Sequence, residues 1–234
     1  LYRDDNLDGN WFQPIWEYAY LHPYFDDAAV DRIGIWEQAG AIVAVAMYES
    51  RLGEAFFQAR AEMQQLKPEM LAYAEERLCA IDAQGGRALN AYVHSLDCEF
   101  ERVVRERGYA PDAGSCRPMA QFVVPEPFPA VVVPEGFHVR SAADNNDLVR
   151  IDRALWRGFD HPGEPPADSV DGRRRMQSGP TYRRDLTIYV EAPNGDFVAF
   201  AGLWFDPVNK LAYVEPVATD PDYRRMGLGT AAVL

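Results

Sequence analysis

The sequence predicts an α/β (α+β) fold of two related domains, each a mixed, mostly antiparallel sheet flanked by helices. Three observations predict it: a strand–turn–strand–turn–strand pattern occurs twice, helix-period segments alternate with these strands, and a proline-rich stretch lies between the two copies. The first copy, Arg32 to Arg60, reads RIGIWEQAGAIVAVAMYESRLGEAFFQAR, with turns at Gln38-Ala39-Gly40 and near Leu52-Gly53. The second, Leu186 to Ala218, reads LTIYVEAPNGDFVAFAGLWFDPVNKLAYVEPVA, with turns at Pro193-Asn194-Gly195 and at Asp206 to Asn209. Asn-Gly and Pro-Asn pairs between β-branched and aromatic runs signal hairpins, because they supply the left-handed and φ-restricted backbone that tight turns need. Matching Ile42 to Val198 offsets the copies by about 156 residues, the length of one ordinary domain.

The remaining elements follow in order. Trp11, Trp16, Tyr18, Tyr20, Tyr24 and Phe25 read as core or domain packing rather than a ligand cage. Lys67 to Ala80 predicts a helix, with Pro68 near its start and Leu66, Met70, Tyr73, Ala74 and Leu78 at helical spacing. Arg87 to His94 predicts a strand, Asp97 to Arg107 a helix closed by Gly108, and Met119 to Val124 another strand. From Val124 to Gly136 four prolines deny backbone donors and fix extended backbone. We therefore expect a first domain over 1–124, a linker over 125–136 and a second domain over 137–234. In the second, Phe137 to Ala142 reads as a strand, and Asp144 as the N-cap of a helix through Phe159. A polar loop, Asp160 to Asp168, then leads to a helix around Val170 to Gln177.

Composition narrows the function classes. With 48% apolar residues in 234, the chain buries at least one sizeable core. A net charge of −13 argues against nucleic acid as a partner, since phosphate contacts demand a basic surface, and suits a cationic substrate. The longest apolar run, Ala39 to Tyr48, is too short to cross a bilayer. Cys79, Cys98 and Cys116 form no CxxC pair and no Cys/His metal spacing, so we expect no metal and a reducing, cytoplasmic setting. The chain begins at Leu1 rather than Met, which leaves a removed leader open.

The stretch that carries chemistry is LAYVEPVATDPDYRRMGLGTAAVL, Leu211 to Leu234. It reads as a strand ending at Thr219, a turn at Asp220-Pro221-Asp222, a glycine loop, and the start of a buried helix. A helix start has unpaired N–H groups and the positive end of the dipole, so it attracts phosphate. Glycines let backbone approach phosphate oxygens, and a neighbouring arginine adds charge-assisted hydrogen bonds. Pro216 lacks an N–H and marks a bulge or lost pairing in the strand.

This segment resembles motif A of the GNAT N-acetyltransferase superfamily, [Gln/Arg]-x-x-Gly-x-[Gly/Ala] after a strand ending Val-x-Val/Thr-x-Pro. The resemblance implies that Arg224, Arg225, Met226, Gly227, Leu228, Gly229 and Thr230 hold the pyrophosphate of acetyl-coenzyme A. It implies too that Val217, Ala218 and Thr219 pair with the pantetheine arm as though it were another strand. Glu215, two residues before Val217, falls where family members carry a carboxylate that deprotonates the substrate ammonium; an ordinary solvent-facing strand glutamate is the alternative. The resemblance covers Phe137 to Leu234, about two-thirds of such a domain, and the family pattern continues beyond the motif helix. The first domain is similar too, but AEMQQLK between its third strand and helix has no glycine loop. The arrangement therefore looks like a tandem one whose N-terminal domain has lost coenzyme A.

The activity implied is acetyl transfer to a primary amine, in a small molecule or peptide, by direct attack. Transfer from another acyl-coenzyme A, or coenzyme A binding without turnover, are the alternatives, and homo-oligomerisation stays open. Asp160 and Glu164 in the loop could hold a cationic acceptor or sit in a plain connector. Arg173 to Arg175, Arg183 and Arg184 read as solvated faces or ion-pair partners, with steering of the anionic cofactor as the alternative.

Overall fold

The computed structural model describes residues 11–234, and the chain divides into two compact units after Met119. The first contains α1 (Gln13–Leu21), β1 (Gly34–Gln38), β2 (Ala41–Met47), β3 (Glu54–Ala59), α2 (Lys67–Arg77), β4 (Ala80–Ile81), β5 (Arg87–Ala88), β6 (Asn90–Tyr92) and α3 (Cys98–Glu106). Its main sheet runs β1-β2-β3-β6. The meander is antiparallel, whereas β6 joins β3 in parallel, as a crossover through α2 requires. The β1–β2 turn is built on two left-handed residues, Ala39 at φ 50° and Gly40 at φ 76°, which matches the twist of the flanking strands.

Both faces of this sheet are covered, which is why β2 is an unbroken apolar run rather than an alternating one. On one face Ala44, Ala46, Ala55 and Phe57 pack with Met70, Leu71 and Ala74 of α2 and Phe100 and Val104 of α3. On the other, Val45, Met47 and Phe56 pack with Trp11, Trp16 and Tyr92.

The second unit contains β7 (His138–Ser141), α4 (Leu148–Gly158), α5 (Ser169–Met176), β8 (Ile188–Glu191), β9 (Phe197–Asp206), β10 (Leu211–Thr219) and α6 (Leu228–Val233). Its antiparallel sheet runs β10-β9-β8-β7. Ile151, Ala154 and Leu155 of α4 pack on Tyr189, Phe197, Phe200 and Ala218. Leu228 and Ala232 of α6 cover the opposite face, over Val190, Val198, Ala199 and Ala201. Each unit thus presents a three-stranded meander that leads through a short connection into a helix, β1–β2–β3–α2 in one and β8–β9–β10–α6 in the other.

Three local expectations are corrected. The Arg87–His94 strand splits in two: β5 pairs back onto β4 around a turn in which Asp82 accepts the Gln84 and Gly86 N–H groups, and only β6 joins the sheet. Met119 to Val124 forms no strand; Pro118 and Pro125 remove donors at its ends, and its residues lie exposed. The helix expected from Asp144 is capped instead by Asp147, whose carboxylate accepts the N–H groups of Val149 and Arg150 at 3.1 Å. Asp144 closes the preceding turn by accepting from Ser141 N–H at 3.2 Å.

Candidate functional site

The site is assembled at the end of β10, an edge strand of its sheet. The β10–β9 register jumps from Val214–Leu203 to Val217–Ala201, so Glu215 and Pro216 together face Gly202. Pro216 offers no N–H to the ladder, and a bulge follows. Gly202 is needed opposite it: a Cβ there would stand 2.7 Å from the Glu215 carbonyl oxygen. The buried Trp204 stabilises the bulge, its indole N–H donating to that same carbonyl at 3.1 Å. Beyond the bulge Val217 is exposed and Ala218 buried.

Next comes a loop fixed by charge. Asp220, 4% exposed, accepts two hydrogen bonds from the Arg157 guanidinium and one from Asp222 N–H at 3.0 Å. Arg157 reaches Asp222 as well, at 2.7 Å. Burial alone would raise the Asp220 carboxyl, but the bonds from Arg157 and the Asp222 N–H outweigh it and hold the group below the usual carboxylate range. Arg224 is similarly engaged: it donates to Thr219 O at 3.1 Å, to Gly158 O at 3.0 Å and to Asp160 at 2.9 Å. These two arginines bind the loop to the C-terminal end of α4. Gly158 permits the close approach, since a Cβ there would lie 2.7 Å from the Ala218 Cβ.

The loop then opens. Arg225 has φ 68°, and its side chain has no hydrogen-bond or ion-pair partner among the described residues. Gly227 stands at φ 80°, ψ 1° as the N-cap of α6, with nothing within 4 Å of the position a Cβ would take. The N–H groups of Leu228, Gly229 and Thr230 occupy the first turn of α6, where no intrahelical acceptor exists. Gly229 serves packing instead, because a Cβ there would press to 2.9 Å on Thr219 Oγ1. An anion facing this turn would meet free N–H donors, a left-handed glycine and an unengaged guanidinium.

The Acetyltransferase (GNAT) family model matches residues 148–234, most of this second unit. The second unit is a GNAT-family domain. A GCN5-related N-acetyltransferase from Sphaerobacter thermophilus has a similar structure, with TM-score 0.55 and 15% identity over 82% of this chain and 62% of its own; at that identity the likeness is one of fold. The ribosomal-protein-S18-alanine N-acetyltransferase from Escherichia coli aligns at 24% identity and TM-score 0.31 over 42% of this chain and 54% of its own. A tandem GNAT protein from the clavulanic acid biosynthesis pathway aligns at 12% identity and TM-score 0.47 over 98% of this chain and 80% of its own. The chain thus spans less than two-thirds of the length of the first two. A search of curated proteins found no match. Both units are GNAT-like α/β domains in tandem.

Within the GNAT domain, Val217, Ala218, Thr219 and Arg224 to Thr230 surround one strand end, with Glu215 at the adjoining bulge. The loop carboxylates have partners in the same unit: Asp160 pairs with Arg224 and Glu164 with Arg153. His161 lies against Trp156, their ring centroids 4.4 Å apart. Arg173 pairs with the buried Asp152, Arg174 with Asp171 and Arg183 with Asp185. Sequence reasoning missed Arg157, Gly158, Gly202 and Trp204. Their partners are distant in the chain, and only the glycines carried a local signal of close backbone approach. Among the described residues no His/Cys/Asp/Glu cluster suits a metal ion, and no helix is long and apolar enough to cross a membrane.

Proposed function

We propose that the chain transfers an acetyl group from acetyl-coenzyme A to a primary amine by direct attack. The observation that carries this reading is one juxtaposition: a bulged edge strand leads into a left-handed glycine that caps a helix with free N–H donors. The residues present suit coenzyme A. The open Gly227 position admits phosphate close to backbone, Arg225 has a guanidinium to offer it, and the outer edge of β10 has backbone groups for an extended pantetheine arm.

Coenzyme A supplies the acetyl thioester. The protein's own work is positioning the two reactants, removing a proton and stabilising charge at the carbonyl. Glu215 is the proposed base, taking a proton from the substrate ammonium so that the neutral amine attacks the thioester carbon. The backbone N–H near Val217 is the proposed donor to the oxygen that gains charge. The C–S bond then breaks, and the departing thiolate takes up the proton that the acetylated nitrogen gives up. An assay of thiol release from acetyl-coenzyme A against a panel of primary amines tests the reading. Amine-dependent release is expected. Tight binding without release under any amine would favour a binding protein, and faster release from a longer acyl thioester would favour another acyl donor.

A further inference from the structure

In the first unit, among the described residues, Arg117 meets the side chains of Glu49, Glu54 and Phe56 from the β2–β3 hairpin and of Tyr92 from β6. It forms ion pairs with Glu49 through Nη1 and with Glu54 through Nη2, the latter at 3.2 Å. Its guanidinium carbon lies 4.7 Å from the Tyr92 ring centroid and 5.3 Å from that of Phe56. Those two rings are stacked on each other at 4.3 Å and 3°, and Phe56 is buried in the core face beneath. Two carboxylates in ion-pair contact and two aromatic rings within cation–π range form the chemistry that recognises a guanidinium.

The fit of Arg117 is incomplete. Glu54 Oε1 receives its hydrogen bond, but Glu54 Oε2 is buried with no hydrogen-bond partner among the described residues. A guanidinium can satisfy both oxygens of one carboxylate through parallel hydrogen bonds, whereas Arg117 divides its two terminal nitrogens between Glu49 and Glu54. The tether itself is loosely held: every residue from Cys116 to Ala130 is exposed, and the segment around Arg117 forms no strand or helix beyond a short turn at Ala113–Ser115. Arg117 thus anchors an exposed strap on these side chains.

We propose that Glu49, Glu54, Phe56 and Tyr92 form a binding site for a small guanidinium ligand, and that Arg117 occupies this site as a displaceable internal competitor. The site lies wholly in the first unit and does not depend on the acetyltransferase reading of the second.

The test titrates the whole chain with agmatine, following tryptophan fluorescence, since Trp11 lies 4.8 Å from Phe56. Sodium chloride at matched ionic strength serves as control. Arg117→Ala should bind agmatine saturably, at least about tenfold more tightly than the parent chain, because the competing state is removed. Glu54→Gln added to Arg117→Ala should abolish the saturation while leaving the fold intact by circular dichroism. Arg117→Gln keeps much of the stem and stands in if the alanine variant does not fold. Hydrogen exchange on the unaltered chain gives an independent reading: saturating agmatine should raise exchange at residues 113–119. An unsaturable response in the folded variants, equal to that of the salt control, would overturn the proposal. Unchanged exchange in the parent chain would do the same, leaving Arg117 a plain staple.

Discussion

At the scale of single residues, the two arginines of the motif have different duties. Arg224 bonds two backbone carbonyls and Asp160, whereas Arg225 has no such engagement among the described residues. Arg225→Ala should therefore weaken acetyl-coenzyme A binding by about 1.5–3 kcal/mol, the worth of a charge-assisted hydrogen bond, with an unchanged melting temperature. Arg224→Ala should lower both, and calorimetry beside thermal denaturation separates the cases. Asp220 adds a pH signature. Its native pKa is depressed, so its pairing with Arg157 contributes stability above the unfolded value of about 3.9, and that contribution fades as pH falls through the lower native value. Asp220→Asn should cost about 1.5–3 kcal/mol at neutral pH, since it removes the buried, charge-assisted bonds to Arg157 and leaves that guanidinium only the exposed Asp222 as counter-charge. The gap in melting temperature from the parent should narrow in acid below about pH 4; a gap constant across that range would show that the charge is not the cause. For Glu215, replacement by Gln should keep acetyl-coenzyme A affinity while lowering kcat about 10²–10⁴-fold, the usual loss of general-base help. An unchanged kcat with the same acid limb of the pH–rate profile would move the base elsewhere.

At the scale of elements, the bulge of β10 depends on β9. A Cβ at Gly202 would meet a backbone carbonyl, which cannot swing aside as a side chain can. Gly202→Ala should destabilise the chain by about 1–3 kcal/mol, as overpacking does, and should weaken acetyl-coenzyme A binding if the bulge positions Val217. Trp204→Phe removes the indole donor to Glu215 O and, because Trp204 is fully buried, leaves a cavity as well. By thermal denaturation it should therefore cost more than about 1 kcal/mol, the worth of a hydrogen bond alone. The meanders themselves were legible in sequence because their turn chemistry is local: Asn194-Gly195 and Ala39-Gly40 announce hairpins without reference to anything distant. Pro216 likewise announced the bulge. What held the bulge was not legible, because Gly202 and Trp204 lie across a strand pair whose register the sequence does not state. The Asp144/Asp147 exchange has another cause. Both aspartates sit before the same helix, and their roles are decided by which carboxylate reaches Ser141 N–H.

At the scale of the whole molecule, two meander-and-helix units share a plan but differ at the turn where a phosphate would sit. In the second unit Gly227 breaks the approach to α6 with φ 80° and leaves its first N–H groups open. In the first, the connection from β3 to α2 is a 3-10 turn, Ala61–Leu66, that runs straight into the helix. Leu66, at the N-cap position of α2, is already helical at φ −76° and ψ −17°, and Pro68 has no N–H to give. Lys67 N–H is taken by Gln64 O, and its ammonium by Asp97. No anion can meet an open helix end there, and the lysine that stands at that end is already neutralised. We therefore expect one acetyl-coenzyme A per chain, although the fold is present twice. Isothermal titration of the whole chain should give a stoichiometry of one. Gly227→Val, which forces a β-branched residue into left-handed backbone and fills the approach to it, should remove all binding at once while the first unit stays folded. A stoichiometry of two, or a residual saturable site in Gly227→Val, would mean that the Ala61–Leu66 turn can unwind to admit a phosphate. The helical N-cap at Leu66 would then be one state of the first unit rather than a fixed barrier.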